Sequence, residues 1–228
     1  MLSIRNLVTI LLAVLTLGSF AQDIDFVVQT GHASGVTHAK FSHSGKLLAS
    51  AGEDNNVVLW EVESGRQLRL LHGHQQTVNQ VKFLKGDSLL LSCSEDQKII
   101  LWRVKTGQIK QEWKFDQAIS AIDLDLEEKM IYCASKDLYK VSIEGGNPLV
   151  VWRIKKHPFT QVKIAKNNMV LFGSAKENFF YQLKDSLARK TAGSVRATVL
   201  SKDMSKLFVS SRNGHVNEFS WKEDHSQI

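Results

Sequence analysis

The sequence predicts an all-β chain built from about five copies of one four-stranded unit. Three observations predict it. The phrase SAGEDNNVVLW at residues 50–60 returns as SCSEDQKIILW at residues 92–102, a step of 42. Short β-branched and aromatic runs alternate with Gly, Ser and Asp, which is how strands and turns are written. No segment carries the 3.6-residue apolar period of an amphipathic helix.

Residues 31–60 and 73–102, laid over one another without gaps, are identical at twelve of thirty positions. Gly31-His32 falls on Gly73-His74, Lys40-Phe41 on Lys82-Phe83, Ser50 on Ser92, Asp54 on Asp96 and Trp60 on Trp102. A duplicated unit explains this and chance does not. In the first unit VTHAKFS reads as a strand, SGKL as a turn and LLASAG as a second strand. A polar corner around Glu53-Asp54 leads to the third strand, VVLWEV, and Ser64-Gly65 turns into the fourth, RQLRLLHG. The second unit repeats the order with VNQVKFL, LLLSCS, IILWRV and QIKQEWKF. Three fainter copies follow, with Asp137, Glu177 and Asn213 in the corner, after steps of 41, 40 and 36. On this alignment Cys133 and Gly173 take the serine position, and Ile143, Leu183 and Phe219 take the tryptophan position. The units divide the chain at 31–72, 73–114, 115–155, 156–192 and 193–228.

Residues 1–21 stand apart from this array. They pair a charged start, Arg5, with an apolar run over 7–17 and small residues Ser19 and Ala21, the pattern of a secretory signal cleaved between Ala21 and Gln22. The run is shorter than the roughly 20 apolar residues that span a bilayer, and no cysteine waits at the cleavage point for a lipid. The expectation is a secreted or periplasmic protein with no membrane attachment after cleavage. Losing Arg5 takes the formal net charge from +6 to +5. The lysines behind that charge are scattered, which suits a solvated basic surface and not a nucleic-acid site. Hydrophobic residues at 43% and charged residues at 23% are those of a globular chain. Cys93 and Cys133 occupy unlike repeat positions. Since neighbouring strand residues point to opposite faces, the two thiols are expected on different faces of different sheets, unpaired.

A period near 40, four strands per unit, Gly-His before the first strand and Asp six residues ahead of Trp together resemble the WD40 repeat. The residue after the tryptophan, commonly Asp in that family, is Glu61 and Arg103 here. The resemblance implies a WD40-like β-propeller of about five four-stranded blades in a closed or nearly closed ring. It also implies that His32, Ser50, Asp54 and Trp60 form a hydrogen-bonded tetrad, as do His74, Ser92, Asp96 and Trp102. A buried indole N–H needs an acceptor, a serine hydroxyl can accept and donate onward, and a histidine can pass the chain to a carboxylate. Ser, His and Asp also make catalytic triads, but here the trio occurs twice at one spacing, each tied to a tryptophan, and the sequence contains no G-x-S-x-G. The third unit keeps Asp137 alone, so the later blades are expected to hold by apolar packing. The fifth unit ends after its third strand, and residues 24–28, upstream of the first Gly-His, are the candidate strand to complete it. Closure of that kind removes exposed sheet edges; an open arc, or part of a larger propeller, is the alternative.

WD40-like arrays are, by resemblance, mostly non-catalytic platforms for protein partners. The sequence carries no HExxH, no CxxC and no phosphate-cradling glycine loop, so no enzyme activity, metal or cofactor is expected. The residue before each corner position is Glu53, Glu95, Lys136, Lys176 and Arg212 in turn, which would set an acidic arc beside a basic arc on one rim. The reading is an exported scaffold that binds a protein through that face. The alternatives are a small-ligand or glycan-binding propeller, or a non-catalytic fragment of a larger WD40-containing enzyme. A glycan binder needs matching aromatic pockets in each blade, whereas Trp113, Trp152 and Trp221 hold different repeat positions.

Overall fold

The structure is a computed structural model. It describes residues 31–153 and 159–164 with their side chains, and beyond them the backbone of strands between 169 and 220. The predicted signal at 1–21 and the candidate closing strand at 24–28 lie outside the described residues.

The described residues form strands and no helix, so no helix among them is long and apolar enough to cross a membrane. The first sheet runs β1 (Val36–Phe41), β2 (Leu47–Gly52), β3 (Val57–Glu61) and β4 (Gln67–Leu71). The second runs β5 (Val78–Phe83), β6 (Leu89–Ser94), β7 (Lys98–Arg103) and β8 (Ile109–Lys114). The third holds β9 (Ala121–Leu124), β10 (Met130–Ala134), β11 (Asp137–Ser142) and β12 (Leu149–Arg153). The fourth holds β13 (Phe159–Ile164), β14 (Met169–Ser174), β15 (Asn178–Gln182) and β16 (Leu187–Thr191). A further sheet has three described strands, β17 (Val195–Leu200), β18 (Lys206–Ser211) and β19 (Val216–Ser220). Within each sheet every strand pairs antiparallel with the next in sequence, as short connections require. The turn from third to fourth strand needs a left-handed residue, supplied by Gly65 (φ 68°) and Gly107 (φ 75°).

Among the described residues, three apolar cores lie between successive sheets. Ala49, Val57 and Leu59 of the first sheet meet Val78, Val81 and Phe83 of the second. Leu91, Ile99 and Leu101 meet Ile122, Ile131 and Val141 of the third. Tyr132 and Leu138 meet Phe159, Val162 and Ile164 of the fourth. The first strands of neighbouring sheets therefore stand side by side, β1 by β5, β5 by β9 and β9 by β13. A bulge near the start of β1, β5, β13 and β17 recurs at the same register, and bulges re-aim a side chain. Thr37, in the first, turns its hydroxyl to the Val78 carbonyl of the next sheet. Asn79, in the second, donates to the Ile119 carbonyl at 2.9 Å.

Strand register corrects two features of the sequence alignment. Leu90 faces Trp102 across β6 and β7, and its counterparts Ile131 and Val170 face Val141 and Tyr181. The tryptophan position in the third and fourth units is thus Val141 and Tyr181, not Ile143 and Leu183. Likewise Phe172, which faces Val162, takes the serine position in place of Gly173. The cause is the corner. Between Cys93 and Ile99 it spans residues 94–98, between Ala134 and Leu138 only 135–137, and between Gly173 and Asn178 only 174–177. An ungapped alignment carries that shortening into the next strand as a register error.

The cysteines lie unpaired on unlike faces of different sheets, as expected. Both are free and fully buried, yet they share one core, the one between the second and third sheets. Opposite strand parity was the right inference, but the sheets stack face to face, so opposite faces of successive sheets meet. Burial pushes both thiols well above the ordinary range.

Candidate functional site

The serine, histidine and aspartate of the first two units are joined within each sheet. Trp102 Nε1 donates to Ser92 Oγ at 2.8 Å, Ser92 Oγ lies 2.7 Å from His74 Nε2, and His74 Nδ1 lies 2.9 Å from Asp96. With a neutral imidazole carrying its proton on Nδ1, the serine donates to Nε2 and the histidine donates to the carboxylate. Asp96 also accepts from the Gln75 and Lys98 backbone N–H groups at 2.9 and 3.1 Å. The first sheet repeats the set: Trp60 Nε1 to Ser50 at 2.8 Å, Ser50 to His32 at 2.8 Å, and His32 to Asp54 at 2.9 Å. Burial pushes the Asp54 and Asp96 carboxyls up, but the histidine and backbone donors outweigh it and hold both below the usual carboxylate range.

Geometry explains the Gly-His dipeptide. A Cβ on Gly73 would stand 2.7 Å from the Trp102 ring, so the histidine can reach the serine only if its neighbour has no side chain. Ser92 is fully buried, and its oxygen accepts from the indole while its proton goes to the histidine. A hydroxyl held in this way has no route to a substrate.

Asp137 opens β11 and lies 3.6 Å from Arg153 Nε. The third and fourth sheets are nonetheless not held by apolar packing alone. Asp123, buried on β9, accepts from Lys82 of the second sheet and from the Ile164 N–H of the fourth at 2.8 Å.

Sequence reasoning missed a second set of carboxylates. Asp87 accepts from the backbone N–H groups of His43 and Ser44, in the preceding sheet's turn, at 2.7 and 2.9 Å. Glu128 does the same for the Lys85 N–H at 2.8 Å. Both adopt left-handed backbone, φ 57°. Burial pushes the Asp87 carboxyl up, and the Ser44 and His43 donors together outweigh it and bring it down to about 2. The first unit has Gly45 at this position, so a scan for carboxylates at one repeat position in later units would have found the clamp.

The predicted rim is described in part. Glu53, Glu95 and Lys136 are exposed in the turns between the second and third strands of three successive sheets. Glu53 accepts from the Ser34 hydroxyl at 3.0 Å. Lys176 and Arg212 lie outside the described residues. Trp113 is buried in the second core with no partner for Nε1 among the described residues, and Trp221 lies outside them.

Antiparallel four-stranded sheets, stacked through their faces with first strands side by side, define a β-propeller type of fold. The family model described as WD domain, G-beta repeat, matches residues 26–61 and 65–103. Its second match begins before β4 and ends with β7, so the family's unit takes the last strand of one sheet with three strands of the next. Among solved structures, the β-propeller domain of Cps50 (Swd1) from Myceliophteria thermophila is similar with a TM-score of 0.75 and 20% identity. The alignment covers 86% of this chain and 68% of that one. At that identity the likeness speaks for the fold. No curated protein compared with the chain matches significantly.

Proposed function

We propose that this chain is a non-catalytic, exported WD40-repeat scaffold that binds a protein partner through the rim of turns between second and third strands. The observation that carries the reading is the exposure of Glu53, Glu95 and Lys136 at one end of three successive, tightly cored sheets. Rigid sheets hold such turns in fixed relative positions, and a surface of ordered charge steers a complementary partner more than it adds affinity. The Ser-His-Asp sets, which could have argued for hydrolysis, are spent inside the sheets on tryptophans. Residues 24–28 are read as the strand that completes the sheet of β17, β18 and β19, closing five blades. The offset of the family's unit by one strand supports that reading, because the first unit then brings a strand for a sheet other than its own. The leader pattern at residues 1–21 supports export.

The test is a capture from the exported fraction of the source cell with the mature chain as bait, followed by association kinetics of the captured partner. Reversing Lys136, Lys176 and Arg212 to Glu should slow association and flatten its salt dependence while leaving the melting temperature in place. Kinetics untouched by the triple reversal would remove the rim from the account.

A further inference from the structure

At the end of the sheets away from the rim, first strands turn into second and third into fourth. A groove of about 370 Å³ opens there between the first and second sheets. Its floor is the margin of their shared core, made by Leu47 and Leu59 of the first sheet and Val104 of the second. One wall is β4. The register of β3 and β4 slips between Leu59 and Trp60, which leaves Leu68 unpaired and lets it share the groove with Arg69. Leu68 is 43% exposed, and Arg69 beside it is exposed too. The other wall is the turn after β7, which brings Lys105. A Cβ on Gly107 in that turn would stand 3.1 Å from Leu71 and 3.4 Å from the Arg69 side chain, so the turn leans on β4. Closing the ring places a sheet against the opposite face of the first and leaves this boundary as it stands.

Neither the Arg69 nor the Lys105 side chain has a hydrogen-bond or ion-pair partner among the described residues. Asp87, the carboxylate in the groove, gives its oxygens to the His43 and Ser44 backbone N–H groups instead. The boundary between the second and third sheets shows that this is not the seam of every repeat. There the Ile143 N–H donates to the Lys129 carbonyl at 2.9 Å, as the Val104 N–H does to the Ser88 carbonyl at 3.0 Å, so the two turns are equivalent. Glu144 then takes the place of Lys105, while the matching slip in β7 and β8 puts Lys110 and Gln111 in the places of Leu68 and Arg69. The next boundary thus lacks the exposed leucine and carries an acid where this one carries a lysine.

We propose that this groove docks an extended acidic segment of a partner protein, with apolar side chains over Leu68 and Val104 and carboxylates on Arg69 and Lys105. The complementarity sets the chemistry of the occupant: carboxylates answer the two free cations, and an aliphatic side chain covers the floor and releases its water. Ligand clefts run from about 300 to 1,000 Å³, so this one, at the small end, suits one or two side chains. The groove lies at the opposite end of the sheets from Glu53, Glu95 and Lys136, so it stands or falls independently of the rim.

The experiment is fluorescence anisotropy of the full mature chain with a labelled, end-blocked peptide Glu-Glu-Leu-Leu-Glu-Glu, at two salt concentrations. Two control peptides keep its length, one with serines for the leucines and one with lysines for the glutamates. Arg69→Glu, Lys105→Glu and Leu68→Ser, all at exposed positions, are each expected to weaken binding about tenfold or more and to leave the melting temperature in place. Lys110→Glu changes the net charge equally on exposed β8 and is expected to keep affinity within about twofold. The proposal is overturned if the parent shows no saturable binding, or if any of the first three variants binds like the parent. It is overturned as well if Lys110→Glu weakens binding as much, or if either control peptide binds as tightly. Displacement by inorganic phosphate as effective as by unlabelled peptide would make this a small-anion site and equally overturn it.

Discussion

Ser92→Ala removes one oxygen from a closed hydrogen-bonded set. Trp102 Nε1 loses its acceptor at 2.8 Å, and His74 Nε2 loses its donor at 2.7 Å. The indole is 1% exposed and the imidazole side chain also 1%, so water cannot stand in. A buried polar group left without a partner costs about 1–3 kcal/mol. Two such groups, with some relaxation, give a loss of about 2–4 kcal/mol. In a chain of this size each kcal/mol moves the melting temperature by roughly 2–4 °C, so a fall of roughly 4–16 °C follows. Thermal unfolding followed by circular dichroism measures it. A double-mutant cycle with Trp102→Phe sharpens the result, because without the indole N–H only one group is orphaned. Ser92→Ala should then cost at least about 1 kcal/mol less than in the parent. A shift of less than about 1 °C, or strictly additive effects, would refute the reasoning.

Other expectations follow from the same geometry. Asp87 has a folded-state pKa of about 2, below its value in the unfolded chain, so its clamp stabilises fully above about pH 4 and is lost as pH falls toward 2. Asp87→Ala should therefore lower the melting temperature at pH 7 but make little difference at the acid end of that window. Gly73→Ala sets a methyl 2.7 Å from the Trp102 ring and should destabilise by about 1–3 kcal/mol, read as a lower urea midpoint. Cys93 and Cys133 should resist iodoacetamide in the folded protein and both react after unfolding, as mass spectrometry would report. Amides of β9 to β12, with Val141 in place of the tryptophan, should exchange faster than those of β1 to β8; uniform protection would contradict this.

The sequence was most legible where the unit is freshly duplicated. VTHAKF, LLASAG and VVLWE could be read as strands because the same words return 42 residues later with turn residues between them. Legibility failed where the third and fourth corners lose residues, since nothing in KDLYK or KENFF marks which residue was dropped. Strand parity rightly set the two cysteines on unlike faces, but that those faces meet in one core is decided by how the sheets stack. The clamps of Asp87 and Glu128 are contacts between residues about one repeat apart. They are visible only when the repeats are viewed as neighbours in space.

Everything above depends on successive sheets lying face to face with their first strands in matching register. Nuclear Overhauser contacts in the mature chain test this most directly. The Ile122 amide, hydrogen-bonded to the Gln80 side chain at 2.8 Å, should show contacts to Gln80 across the boundary between the second and third sheets. The Ser44 amide, 2.9 Å from the Asp87 carboxylate, should show contacts to the Asp87 side chain across the boundary between the first and second. If both amides show contacts only within their own sheets, the stacking is wrong, and the shared cores and the clamps go with it.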